Sequence, residues 1–96
     1  MPREKRLAHN EVLFREVNER IAELAGGHSD GFHVVCECAN TGCDERLLIP
    51  LSQYERVRGH ERWFLIVPGH TVLEVEDVIE RHDGYDVVEK HADVMP

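Results

Sequence analysis

The chain has 96 residues, 42% of them hydrophobic and 31% charged, and its formal net charge is −8. This length suits one domain, and the composition excludes a disordered chain. The longest apolar run, Trp63–Val67, is far short of the roughly 18 residues that a membrane helix needs. The acidic balance argues against general nucleic-acid binding, because phosphate contacts need basic groups.

The N-terminal segment, residues 1–6, is charged and is not followed by an apolar stretch. We therefore expect no secretion signal and a cytoplasmic location. In that compartment the three cysteines would stay reduced and would be available to a metal ion.

The sequence predicts one amphipathic helix over residues 3–25, which begins after Pro2 and ends at Gly26–Gly27. Its apolar residues recur mostly at steps of three and four. They are Leu7, Leu13, Phe14, Val17, Ile21, Leu24 and Ala25. Asn10 and Asn18 are expected to be solvated.

This helix is long for so small a domain, since about 23 residues span roughly 35 Å. We expect part of it to project and to offer Leu7, Leu13 and Phe14 to a protein partner or a second copy. The alternative is that the sheet covers the whole apolar stripe.

Two short strands are predicted after a loop at residues 28–31. They are residues 32–36 and 46–49, and a polar turn at residues 37–44 joins them. After Pro50, Ser52 and Glu55 match a capping box at the start of a short second helix that ends near Arg58. Trp63–Val67 predicts a buried strand, ended by Pro68 and Gly69.

Residues 74–82 fit either a helix or a strand. Asp83–Gly84 is typical of a two-residue hairpin turn, which favours the strand. The hairpin would place three pairs opposite each other: Arg81 with Asp86, Ile79 with Val88, and Asp77 with Lys90.

Three cysteines carry the clearest chemical signal. Cys36 and Cys38 lie at alternate positions of a strand and project from one face, and the glycine-containing turn can bring Cys43 back to them. Three thiolates suit Zn²⁺, which takes four sulfur or nitrogen ligands in a tetrahedron. The fourth ligand must then be a histidine.

Seven histidines compete for that place. His70 is favoured because the turn after a buried strand can direct its ring, and His60 is the next candidate. His33 points away from the cysteines by strand parity. The weaker candidates are His9, His28, His82 and His91.

Other interpretations of the cysteines stay open. They could be small core residues, although the turn around them is polar. The same ligands could hold an iron–sulfur centre. A catalytic zinc could use Glu37 or Glu45 as a base, and Cys36 with Cys38 could act in thiol redox chemistry.

Other features favour ordinary structural roles. Tyr54 and Trp63 are expected in the core. The basic patch Arg56, Arg58, His60 and Arg62 is expected to be a solvated helix face, with nucleic-acid binding as the alternative.

The pattern Cys-x-Cys-x₄-Cys followed by Pro68–His70 resembles a family of short uncharacterised proteins from high-GC bacteria. Five stretches in one order carry the resemblance: residues 10–21, 36–43, 54–58, 68–70 and 87–90. The resemblance implies that His70 joins the three cysteines, but it brings no function with it.

The sequence thus predicts an α+β fold in a single zinc-stabilised domain, residues 1–96. The N-terminal helix occupies residues 1–27, and the sheet and metal site occupy residues 28–96. We favour a non-enzymatic, regulatory module that binds another protein over a small metalloenzyme or thiol-redox protein that uses the same cysteines. Nucleic-acid binding through Arg56–Arg62 stays a further alternative.

Overall fold

The structure is a computed structural model that describes residues 2–25, 31–40 and 42–95. The helix stop predicted at Gly26–Gly27 lies outside these residues. The elements are α1 Arg3–Ala25, β1 Phe32–Val35, β2 Arg46–Ile49, α2 Leu51–Arg58, β3 Trp63–Ile66, β4 Glu76–His82, β5 Tyr85–Lys90 and a 3₁₀ turn at Ala92–Val94. The predicted α+β class is confirmed.

Two small antiparallel sheets form the centre of the fold. β1 pairs with β2, while β5 lies between β3 and β4. Side chains alternate on β1, so Phe32 and Val34 are buried and His33 is exposed. The amide of Glu37 donates to the carbonyl of Leu65 at 2.7 Å, which joins the end of the first sheet to β3 of the second.

The two larger clusters of buried residues meet along this junction. One contains Phe32, Val34, Leu47, Ile49, Tyr54, Val57, Leu65, Tyr85 and Val87. The other contains Cys36, Cys38, Phe64, Ile66 and Val88. Tyr54 is a core residue, as predicted, and Trp63 packs against the first cluster. The second cluster places two of the predicted metal ligands within the core.

The buried side of helix α1 is partly polar. Its fully buried residues are Ala8, Glu11 and Asn18. Leu13, Val17 and Leu24 are 45%, 46% and 80% exposed, so the alternative in which the sheet covers the whole apolar stripe is wrong. Leu7 and Phe14 are half-buried. In the described parts of the chain, no helix has the length and apolar character needed to cross a membrane.

A buried charge cluster holds the polar side of α1 inward. Lys90 pairs with Glu11, and its Nζ lies 3.1 Å from Oε1 of Glu76; all three residues are fully buried. The amide of Val72 donates to the other oxygen of Glu76. Burial raises the pKa of Glu76 to about 7 and lowers the pKa of Lys90 to about 7. Because buried charges need partners, this cluster fixes which face of the helix turns to the core.

β4 and β5 form the predicted hairpin, and Gly84 in its turn has a φ of 90°. The predicted pair of Arg81 and Asp86 is confirmed. The other two predicted pairs, Ile79 with Val88 and Asp77 with Lys90, are wrong because a bulge between Val78 and Glu80 shifts the register. The observed pairs are Val78 with Val88, Asp77 with Glu89 and Glu76 with Lys90. The bulge thereby brings Glu76 into the buried cluster.

Helix α2 begins without the predicted capping box. Pro50 is the N-cap residue, with φ −65° and no side-chain hydrogen bond, and Ser52 lies within the first turn. The amides of Gln53 and Tyr54 donate to the Pro50 carbonyl. The fixed φ of proline sets the start of the helix, so Ser52 and Glu55 do not form the box.

Candidate metal centre

Cys36, Cys38, Cys43 and His70 come together at one point. One ligand atom from each residue lies within 4.8 Å of all the others. Nδ1 of His70 is 3.5 Å from Sγ of Cys36 and 3.7 Å from Sγ of Cys43. Typical zinc bond lengths in a tetrahedron require about 3.5 Å between sulfur and nitrogen and about 3.8 Å between two sulfurs. The four residues could therefore bind a metal ion with little movement.

The first two cysteines are positioned by the end of β1. The amide of Cys36 donates to the carbonyl of Glu45 at 3.0 Å, which continues the ladder between the two strands. Sγ of Cys36 accepts from the amide of Val67 at 3.2 Å. Between the two cysteines, Glu37 turns to the opposite side and is buried, as strand alternation requires.

A tight turn returns Cys43 to this point. The amide of Cys43 donates to the carbonyl of Asn40 at 3.0 Å. The side-chain oxygen of Asn40 accepts from the amide of Gly42 at 2.9 Å, an arrangement typical of asparagine in turns. The side-chain carboxamide of Asn10 on α1 donates to the carbonyl of Ala39 at 3.1 Å, so the helix contacts the same turn.

His70 reaches the cysteines from the turn after β3. Gly69 has a φ of 91°, a conformation that favours glycine, and the amide of His70 donates to the carbonyl of Val67 at 3.0 Å. Nε2 of His70 lies 2.9 Å from Oε2 of Glu45. That carboxylate is positioned to hold the proton on Nε2, which leaves Nδ1 free toward the sulfurs.

The other described histidines lie elsewhere. His60, the second candidate, stacks on Trp63 with ring centroids 3.6 Å apart. His33 is exposed on the outward side of β1, as parity predicts. His82 pairs with Glu80 and His91 pairs with Asp77. His28 lies outside the described residues.

The three thiols differ in pKa. A hydrogen bond with the Cys36 thiol lowers the pKa of Cys38 to about 5, and the same bond together with burial raises the pKa of Cys36. Burial also raises the pKa of Cys43. A metal ion that binds all three sulfurs must therefore displace protons from Cys36 and Cys43.

Asn18 is the supporting residue that the sequence analysis missed. It was expected to be solvated, but it is fully buried. Its carboxamide donates to the carbonyl of Val35 and accepts from the backbone amide of Val35, both at 2.8 Å. These are the two hydrogen bonds that a neighbouring strand would make. It also donates to Glu37 at 2.7 Å. The one sequence signal was the position of Asn18 on the side of the helix that carries the small residues Ala8 and Ala22.

Glu37 links this support to the rest of the fold. Its carboxylate accepts from the amide of Leu65 at 2.8 Å and lies 3.6 Å from a guanidinium nitrogen of Arg58. Burial raises its pKa, whereas Arg58, Asn18 and the Leu65 amide act in the opposite direction. Because it is enclosed in this way, Glu37 is not placed to act as a base for a substrate at the metal site.

Comparison with protein-family models, with curated protein sequences and with solved structures finds no match to this chain. The resemblance to the high-GC bacterial family stays a prediction. The cysteines of the Cys₃His site belong to the second core cluster or pack against it, Glu45 lies beside the histidine, and Glu37 lies on the opposite side of the strand from the cysteines.

Proposed function

We propose that Cys36, Cys38, Cys43 and His70 bind one Zn²⁺ and that the ion has a structural role. The observation that carries this proposal is the convergence of four ligand atoms within 4.8 Å of one another. Three thiolates and one imidazole are a preferred ligand set for zinc. With four protein ligands the tetrahedron is filled, and no position is left for a substrate.

The places of the ligands support a structural role. Two follow β1, one closes the turn before β2, and one lies in the turn after β3. A bound ion would fix the first sheet to the second next to Phe64, Ile66 and Val88. Because the unfolded chain lacks this arrangement, the free energy of metal binding adds to the stability of the fold.

Metal analysis of protein purified without added metal tests the zinc site. We expect one zinc per chain, and X-ray absorption should give three sulfur ligands and one nitrogen ligand. Cys43→Ser and His70→Ala should lose the zinc, while His60→Ala and His33→Ala should keep it as matched controls. A protein without zinc, or a brown protein with iron and sulfide, would overturn the proposal.

We further propose that the domain is a non-enzymatic interaction module whose partner, another protein or a second copy, binds the outer face of α1. Leu13, Val17 and Leu24 support this, since they lie on the side of the helix away from the core and stay exposed. Singly exposed leucines are common, but three on one helix face form a patch.

The basic patch gives less support to nucleic-acid binding. Arg56 forms a salt bridge with Glu80, and Arg58 lies within 4 Å of Glu19 and Glu37. Charges already paired with carboxylates contribute little to phosphate binding.

One observation favours the thiol-chemistry alternative. A cavity of about 190 Å³ contacts Cys38 and His70. Alkylation of zinc-loaded protein with iodoacetamide separates the two functions: a structural site protects all three cysteines, whereas a reactive site is modified at Cys38.

A further inference from the structure

A larger open cavity lies between α1 and α2, away from the metal centre. Its volume is about 430 Å³, within the roughly 300–1,000 Å³ typical of ligand pockets. The floor is apolar and consists of Ala22, Leu51 and the ring of Tyr54. The metal proposal assigns no role to this space.

Two residues that line the cavity also carry buried polar atoms without partners. The hydroxyl of Tyr54, a residue that is only 3% exposed, has no hydrogen bond within the described parts of the chain, and the same holds for Nε of Arg58. The remaining guanidinium nitrogens of Arg58 face the carbonyl of Trp63 and the carboxylates of Glu19 and Glu37. Both atoms are shielded from solvent, so the floor offers a ligand apolar contact and not hydrogen bonds.

The rim of the cavity is acidic. It carries the carboxylates of Glu19, Glu23 and Glu55. Arg58 is occupied by Glu19 and Glu37, so it does not neutralise the other two. Arg20 lies 3.6 Å from Glu23, but both side chains are exposed, and such pairs are weak. The net charge of −8 adds a long-range attraction for cations.

We propose that this cavity binds a segment of a protein partner that presents an apolar side chain flanked by lysine or arginine. The apolar side chain would lie on the floor, and the cations would contact the acidic rim. Leu13, Val17 and Leu24 do not line this cavity, so it is a second contact and does not depend on the interaction proposed above for the outer face of α1.

A peptide titration of the zinc-loaded, ¹⁵N-labelled protein tests this inference. The probe is an acetylated decapeptide in which two adjacent leucines are flanked on each side by two lysines in a glycine–serine background. One control peptide replaces the lysines with glutamates, and another replaces the leucines with serines. We expect amide shifts around Ala22 and Tyr54, and at least tenfold weaker binding of both control peptides.

Two matched sets of variants locate the binding. Ala22→Phe fills the floor and should weaken binding at least tenfold, whereas His9→Phe, at an exposed position of the same helix outside the cavity, should not. Replacing Glu23 and Glu55 together with glutamine should weaken binding several-fold and reduce its salt dependence. Replacing Glu4 and Glu61, which do not line the cavity, serves as the charge control. The zinc content and the dispersion of the spectrum verify that each variant is folded.

Three results would overturn the inference: equal binding of all peptides, undiminished binding by Ala22→Phe, or shifts confined to the acidic segment 71–96. Any of them in a zinc-loaded protein would leave the metal proposal intact. A protein that binds the peptide as expected but purifies without zinc would contradict the metal proposal and would not affect this inference.

Discussion

Nε2 of His70 lies 2.9 Å from a carboxylate oxygen of Glu45. This contact orients the imidazole and holds its proton away from the sulfurs, because Nδ1 is the atom that faces Cys36 and Cys43. Glu45 is therefore placed to orient His70 toward a metal ion bound by the cluster. The sequence analysis considered Glu45 as a catalytic base, and the structure gives that carboxylate a histidine partner instead.

Removing this carboxylate should weaken zinc binding without destroying the site. For Glu45→Ala we expect roughly tenfold lower zinc affinity, the lower end of the usual effect of such partners, because Glu45 is exposed. Competition with a chromophoric chelator measures the affinity. Asp44→Ala removes the same charge one residue away and is the control; an equal loss in both variants would mean that only net charge matters.

Chelation should lower the thermal stability of the protein. A ligand present at about 1,000 times its Kd adds about 4 kcal/mol, and about 1 kcal/mol shifts the Tm of a domain this size by at least 4 °C. We therefore expect a fall of 10 °C or more after verified metal removal, measured by circular dichroism. The metal-free Cys43→Ser variant should melt at the same temperature with and without chelator. An unchanged wild-type melt would show that the core is stable alone.

The cluster of ligands was predictable because it depends on local geometry. Alternation along a strand puts Cys36 and Cys38 on one side, and short glycine-containing turns return Cys43 and direct His70. Glu37 follows the same alternation, but its partners Leu65 and Arg58 are distant in sequence, so its burial could not be predicted from spacing.

The orientation of α1 was not predictable from its apolar period. That period shows that the helix has an apolar and a polar face. The apolar face is the buried one only when the polar face has no buried groups to pair with. Here Glu11 meets Lys90 and Asn18 meets Val35, and both contacts depend on strands far along the chain. The predicted register of the hairpin was wrong for a related reason, because no sequence signal marks the bulge at Ile79.

The carboxamide of Asn18 should contribute strongly to stability. Asn18→Ala removes two hydrogen bonds to Val35 and one to Glu37, and it leaves buried groups unpaired. We expect a loss of about 2–4 kcal/mol, measured by urea unfolding with zinc present. Asn10→Ala removes a single, partly buried bond to Ala39 and should cost about 1 kcal/mol. Equal losses would contradict the assignment of Asn18 as the main support.

The outer face of α1 offers a test of self-association. If a second copy covers it, the wild-type protein should sediment as a dimer at micromolar concentration, and Leu13→Asp with Val17→Asp should give a folded monomer. Both side chains are nearly half exposed, so the substitutions should leave the fold intact. Arg20→Asp, also on the exposed side of the helix, controls for added charge. A wild type that stays monomeric at millimolar concentration would leave a different protein as the partner.

The buried cluster of Glu11, Lys90 and Glu76 should be sensitive both to substitution and to pH. Lys90→Met leaves two buried carboxylates without a cation, and we expect a loss of about 3–5 kcal/mol at pH 8. Burial raises the pKa of Glu76 to about 7 from its ordinary value of 4.5. A carboxyl group with a raised folded-state pKa binds its proton more tightly in the folded protein, so its contribution to stability is present at low pH and is lost as the pH rises toward 7.

The cost of Lys90→Met should therefore be smaller at pH 5 than at pH 8, because protonation of Glu76 removes one of the two unpaired charges. Urea unfolding of variant and wild type at each pH gives the difference, and the comparison cancels the effect of pH on zinc binding. Lys5→Met, which removes a lysine that bonds to the carbonyl of Asp93, is the control and should cost little at either pH. Adding Glu11→Gln and Glu76→Gln to Lys90→Met should restore part of the stability at pH 8, since neutral side chains replace the two unpaired charges. A loss that is the same at both pH values would show that packing around Lys90, and not its charge, stabilises the cluster.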